Sequence, residues 1–153
     1  MTFYFDMDGT VANLYGIENW LPRLRAYDPL IYKEAKPLVD MEELKKVCEL
    51  LQKNGHEIGV ITWGAGGEQN ANFNAKTEKI KREWIAQYMP YIPEKNFHFL
   101  PYGTPKQTVH ARNRATVLID DNTEVRKGYA TAKRRHTIDA TGNIIQELKK
   151  YIA

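Results

Sequence analysis

The sequence predicts an α/β fold, a mostly parallel sheet wrapped by helices. Short apolar or aromatic runs of strand length alternate along the chain with longer segments whose apolar residues recur at helical spacing. Polar residues suited to chemistry stand at the carboxyl ends of the apolar runs, where ligands of such sheets bind.

The first strand is Phe3 to Asp6, an aromatic run closing on DMDGT. Asn13 to Pro37 then interrupts the alternation with Tyr15, Trp20, Leu21, Leu24, Tyr27 and Tyr32, and reads as a small helical insert over the sheet rim. A helix follows, opened by Asp40 with Glu43 as a capping box and stopped at Asn54-Gly55. Its apolar stripe is Met41, Leu44, Val47, Cys48 and Leu51. The second strand is Glu57 to Thr62, and Trp63 to Ala75 (WGAGGEQNANFNA) reads as a mobile Gly/Asn-rich loop beside the same rim. Next come a helix from Thr77 to Met89, ended by Pro90 with Ile80, Trp84 and Tyr88 on one face, and a strand from Asn96 to Leu100. The strand Thr116 to Asp120 leads into a short helix after Asn122-Thr123, with Val125 and Tyr129 inward. A strand at His136 to Ile138 and a helix begun by Asn143 complete the pattern, with Ile144, Ile145, Leu148 and Ile152 facing the core. The 153 residues suffice for one domain, with 13–37 as its insert.

Bulk composition narrows the class. The chain is 42% hydrophobic and 27% charged, ordinary for a globular protein, and its net charge of +3 comes from interspersed acids and bases. That favours neither a membrane surface nor, strongly, nucleic acid. The basic cluster Lys133-Arg134-Arg135-His136 reads as a solvated helix end. No apolar stretch reaches membrane-spanning length, and Asp6 and Asp8 interrupt any signal-like start. The single cysteine, Cys48, excludes an internal disulfide and reads as core packing, so a cytoplasmic setting is expected. Trp84 and Tyr88 suit a core or a dimer surface equally, and the oligomeric state stays open.

Asp6 and Asp8 form a close carboxylate pair at the end of an apolar strand, which repels itself and loses hydration unless a cation, a shared proton or a reaction compensates. Asp120-Asp121, ending VLIDD, is a second such pair. Oxygen ligands alone favour Mg2+, since zinc wants His or Cys and the four histidines lack ligand spacing. Thr62, followed by the N–H groups of Trp63 and Gly64, makes a candidate anion nest. Lys106, in YGTPK, supplies a compact positive charge. Together these suit a phosphoryl group, with one carboxylate as nucleophile and another to shuttle a proton.

In order, DMDGT at Asp6 to Thr10, Thr62, Lys106 and LIDDN at Leu118 to Asn122 resemble the four motifs of the haloacid dehalogenase superfamily. The resemblance spans residues 1 to about 150 and implies a Rossmann-like sheet with a type-one cap at 13–37. It implies that Asp6 attacks phosphorus and forms an aspartyl-phosphate. Asp8 then protonates the leaving oxygen and activates the hydrolytic water. It further implies Mg2+ held by the Asp6 side chain, the Asp8 carbonyl, Asp121 directly and Asp120 through water, with Thr62, Trp63 and Lys106 at the phosphate. FDMDGTVANLYG and the short insert are most similar to the 5'(3')-deoxyribonucleotidase branch, whose substrates are nucleoside monophosphates. The short insert and the WGAGG stretch depart from that branch. A nucleobase could stack on Tyr15, Trp20 or Trp63, although Trp20 and its neighbours also suit the insert's own core. The alternatives are a sugar phosphate, a nucleic-acid end helped by Arg112, Arg114 and Lys133 to Arg135, or a protein that binds without turnover.

Overall fold

Five parallel strands form one sheet in the order β3-β2-β1-β4-β5. They are β1 (Thr2–Phe5), β2 (Glu57–Trp63), β3 (Phe97–Leu100), β4 (Thr116–Asp120) and β5 (Arg135–Asp139). The structure, a computed structural model, describes residues 1–67 and 70–152. In-register pairing sets Phe5 against Val60 on one side and Ile119 on the other, which makes β1 the central strand. The connections run from β1 to one side of the sheet and return to β4 on the other. The crevice between the ends of β1 and β4 is therefore the topological switch point.

The helices are α1 (Trp20–Arg25), α2 (Leu30–Glu34), α3 (Met41–Lys53), α4 (Ala71–Tyr88), α5 (Thr123–Tyr129) and α6 (Ile144–Lys149). One face of the sheet, carrying Phe3, Phe5, Val60 and Ile119, packs on Leu44 and Leu51 of α3, Trp84 of α4 and Leu148 of α6. The other, carrying Tyr4, Ile61 and Leu118, packs on Tyr129 of α5 and on Val109. Trp84 is thus a core residue, with Tyr88 tilted against it at 4.6 Å. Cys48 is fully buried in the first layer. Among the described residues no helix is long and apolar enough to cross a membrane.

Local chemistry explains the boundaries. Asp40 accepts from the Glu43 N–H at 3.0 Å, but the Glu43 carboxylate pairs with Lys149 at 2.8 Å instead of closing the capping box. Asn122 and Asn143 cap α5 and α6 in the same way as Asp40 caps α3.

Two readings of the sequence need correction. The stretch Trp63 to Ala75 is not wholly loop, because α4 begins at Ala71. Phe73 continues the inner stripe of α4 and buries against Leu14, Ile31 and Tyr32, and this burial overrides the weak helix propensity of the Asn-rich run. Glu68 and Gln69 of that stretch, like Ala153, lie outside the described residues. The basic cluster is also not a helix end. Since α5 stops at Tyr129, Lys133 and Arg134 form a turn, and Arg135 and His136 open β5.

Segment 13–37 comprises a single 3-10 turn at Leu14–Gly16, then α1 and α2. Its ends meet in a short antiparallel neck, where the Asn13 N–H donates to Lys36 O at 2.7 Å and the Leu38 N–H to Val11 O at 2.8 Å. Inside, α2 is fastened to α4: Trp84 Nε1 donates to Ala35 O at 2.8 Å, and the Tyr32 ring lies 4.7 Å from Lys81 Nζ.

Candidate active site

The turn after β1 is built around one carbonyl. Met7 O accepts the N–H groups of Thr10, Val11 and Ala12 at 2.9–3.0 Å, which folds DMDGT back over the strand end. Gly9 makes this turn with φ of +81°, and a Cβ there would stand 2.4 Å from Asp121 Oδ2. Glycine is therefore required both for the backbone angle and for room beside the acidic pair.

Asp6 and Asp120, from the adjacent central strands, flank a buried lysine. Lys106 Nζ donates to Asp6 Oδ1 at 2.7 Å and to Asp120 Oδ2 at 2.6 Å. Burial lowers the Lys106 pKa, but the two carboxylates outweigh it and hold the group charged. The other Asp120 oxygen accepts the Asn122 N–H at 2.9 Å. Burial first, then Asp6, still raises its pKa. Asp121 is left with a long 3.5 Å contact from the Thr10 hydroxyl as its side-chain partner among the described residues. Burial, then Asp6 and Asp120, pushes its pKa up to about 6.

Carboxylate oxygens of Asp6, Asp120 and Asp121 lie within 4.8 Å of one another. An oxygen-only donor set with an unneutralised carboxylate fits a hard divalent cation such as Mg2+. The Asp8 carboxylate does not join this cluster.

Instead Asp8 meets a residue the sequence reading did not select. Lys81, on α4, is fully buried, and its Nζ donates to Asp8 Oδ2 at 2.8 Å, Thr62 Oγ1 at 2.8 Å and Trp63 O at 3.0 Å. Burial raises the Asp8 pKa, and Lys81 opposes that rise. The signal in the sequence was a lysine on the inner stripe Thr77, Lys81, Trp84 and Ile85, since a lysine on a buried face needs an acidic partner.

The other candidates divide. Asp6, Asp8, Trp63, Lys106, Asp120 and Asp121 all border one cleft of about 390 Å³. Thr62 is fully buried behind it, turned to Lys81. The expected run of free N–H groups after Thr62 is also partly spent: the Gly64 N–H pairs with Leu100 O at 2.8 Å, continuing the β2–β3 ladder. Trp63 faces the cleft through its ring, 5.3 Å from Lys106 Nζ, and anchors its indole N–H on Thr104 O at 2.8 Å.

Aromatic rings rim the mouth. Tyr15 and Trp20 meet edge to face at 4.8 Å, and Trp63 and Tyr102 do so at 5.4 Å. Trp20 does not sit among the insert's core residues Leu14, Ile31 and Tyr32. Arg112, Arg114 and Lys133 to Arg135 are not among the residues that line the cleft. Arg114 binds Gly55 O and Arg134 binds Asn113 O, both ahead of the amino ends of strands.

No protein-family model matches the sequence, and no curated protein does. Among solved structures, the D,D-heptose 1,7-bisphosphate phosphatase from Burkholderia thailandensis superposes with a TM-score of 0.54, over 99% of this chain and 98% of that one, at 9% identity. The two share a Rossmann-like α/β fold, a parallel five-stranded sheet flanked by helices in this chain. At that identity the likeness establishes architecture alone.

Proposed function

We propose that the chain is a Mg2+-dependent phosphomonoester hydrolase that works through an aspartyl-phosphate on Asp6. The observation that carries this reading is the convergence of Asp6, Asp8, Lys106, Asp120 and Asp121 on one cleft at the switch point of the sheet. An Asp6 oxygen attacks phosphorus while the bond to the leaving oxygen breaks, and Asp8 gives that oxygen its proton. Asp8 then takes a proton from water, whose oxygen attacks phosphorus and returns Asp6 as a carboxylate with release of inorganic phosphate. Lys106 has one N–H without an acceptor among the described residues, available to a phosphoryl oxygen. Asp6, the Asp8 carbonyl, Asp121 and, through water, Asp120 would hold Mg2+, which when bound neutralises charge building on the phosphoryl oxygens.

For the substrate, we infer a nucleoside monophosphate. The paired rings Tyr15–Trp20 and Trp63–Tyr102 around the mouth offer faces for a base to stack on. A second reading, a sugar phosphate, is favoured by the structural neighbour, named as a heptose bisphosphate phosphatase. A nucleic-acid end gripped by Arg112, Arg114 and Lys133 to Arg135 is disfavoured because none of them lines the cleft, and Arg114 and Arg134 are engaged ahead of the amino ends of strands.

The test is phosphate release from 5'- and 3'-mononucleotides, sugar phosphates, p-nitrophenyl phosphate and a phosphorylated oligonucleotide, with Mg2+, with EDTA, and with Asp6→Asn. Mg2+-dependent release from mononucleotides, absent in Asp6→Asn, is expected. Release confined to sugar phosphates keeps the mechanism and replaces the substrate. No release by folded, Mg2+-bound protein overturns the reading in favour of a binding role.

A further inference from the structure

We propose that Lys81 is the positioning residue of Asp8, fixing which Asp8 oxygen handles the proton. The inference rests on the phosphohydrolase reading above. Donor accounting separates the two buried lysines. An ammonium has three N–H groups, and those of Lys81 are matched by Asp8 Oδ2, Thr62 Oγ1 and Trp63 O, at 2.8, 2.8 and 3.0 Å. None remains for a phosphoryl oxygen. Lys106, with two partners, keeps one. Lys81 therefore acts on the reaction through Asp8, whereas Lys106 touches the reacting groups.

The geometry also shows why the grip is firm. Lys81 is fully buried and the Tyr32 ring covers it at 4.7 Å, so the ammonium cannot swing to water. Two of its partners, Thr62 and Trp63, belong to β2, a rigid strand of the sheet. Lys81 thereby references Asp8 to the sheet and pins its Oδ2. Only Oδ1 is left to give a proton to the leaving oxygen and later to take one from water. Thr62 gains a role here too, as the anchor of Lys81, which agrees with its burial behind the cleft.

The test compares kcat/KM of wild type and Lys81→Met, at saturating Mg2+, on an alkyl monophosphate and on an activated aryl monophosphate. This parameter reports steps through departure of the leaving group. An alkyl leaving oxygen needs a proton from Asp8, and an activated aryl one does not. Lys81→Met is expected to lose about 10²- to 10³-fold on the alkyl ester and under about tenfold on the aryl ester, in line with the usual scale of general acid catalysis. Equal losses on both would overturn the proposal. So would a double variant, Asp8→Asn with Lys81→Met, whose single-turnover release of the aryl alcohol falls tenfold or more below that of Asp8→Asn alone. The double variant removes both charges and remains measurable even where Lys81→Met alone leaves Asp8 too poorly compensated to fold. A wild type without turnover on either ester defeats the phosphohydrolase reading itself, whereas an active wild type with equal losses defeats only the role of Lys81.

Discussion

Replacing the least compensated carboxylate of the acidic cluster should stabilise the metal-free protein and destabilise the metal-bound one. Asp121 titrates near 6 in the fold against an ordinary value of 3.8, because burial, Asp6 and Asp120 disfavour its charge. The folded chain holds that proton more tightly than the unfolded chain, so stability falls as pH rises through the window from about 4 to about 6, and the penalty is complete above it. At 1.36 kcal/mol per pH unit the gap corresponds to about 3 kcal/mol, which solvent access to this half-buried group reduces to about 1–2 kcal/mol. In EDTA at pH 8, Asp121→Asn should therefore melt about 2–8 °C higher than wild type, given about 2–4 °C per kcal/mol for a chain of this size. The advantage should vanish at pH 4. Saturating Mg2+ should reverse the order, since about 2.7 kcal/mol accrues to wild type at a hundred times its Kd. Thermal unfolding across pH, with and without Mg2+, measures all three effects. An Asp121→Asn protein that melts lower than wild type in EDTA at pH 8 would refute the reasoning, as would a difference that does not change between pH 4 and 8.

Lys106→Met should cost about 3–5 kcal/mol in EDTA at neutral pH, because it strands Asp6 and Asp120 in a buried site; urea unfolding checks this, and a loss under 1 kcal/mol would contradict it. Gly9→Ala should lose Mg2+ binding by calorimetry, since its Cβ falls 2.4 Å from Asp121 Oδ2. The left-handed backbone adds a strain of about 1–2 kcal/mol, visible as a lower melting temperature. Trp20→Ala should raise KM for mononucleotides about 5- to 30-fold with kcat retained, from about 1–2 kcal/mol of lost base stacking. An equal rise for sugar phosphates would remove stacking as the cause.

The sequence made the strand ends legible because each signal there is local. An apolar run closing on DMDGT or LIDDN marks both a strand and a buried charge that must be compensated, and β1 and β4 lie where those runs stand. The contacts that organise the site from a distance were not legible. Lys81 reaches Asp8 across 73 positions of sequence, and nothing near either residue names the other. Ile80, Trp84 and Tyr88 suggest a helix face, but the buried stripe runs through Thr77, Lys81, Trp84 and Ile85, and of the three expected residues Trp84 alone lies on it. The Gly64 N–H looked free after Thr62 because its acceptor, Leu100 O, comes from a strand that pairs only in the folded sheet. The basic cluster was misread for the reverse reason. Lys133 to His136 resembles a helix terminus by composition, yet the strand partner β4 draws Arg135 and His136 into the sheet.

The neck beneath the insert has a consequence for how this scaffold can change. Its two ends are clamped together by the Asn13–Lys36 and Leu38–Val11 hydrogen bonds, so residues 14–35 form a closed excursion from a fixed base. Closing such an excursion costs little more as it grows, about 0.6 kcal/mol for each doubling of length. Extra residues between α1 and α2 would enlarge the roof over the cleft while Tyr32 and Ala35 keep their grip on α4. The carboxylate-bearing floor and the roof are thus separable inheritances: one can lengthen and diversify without retuning the other.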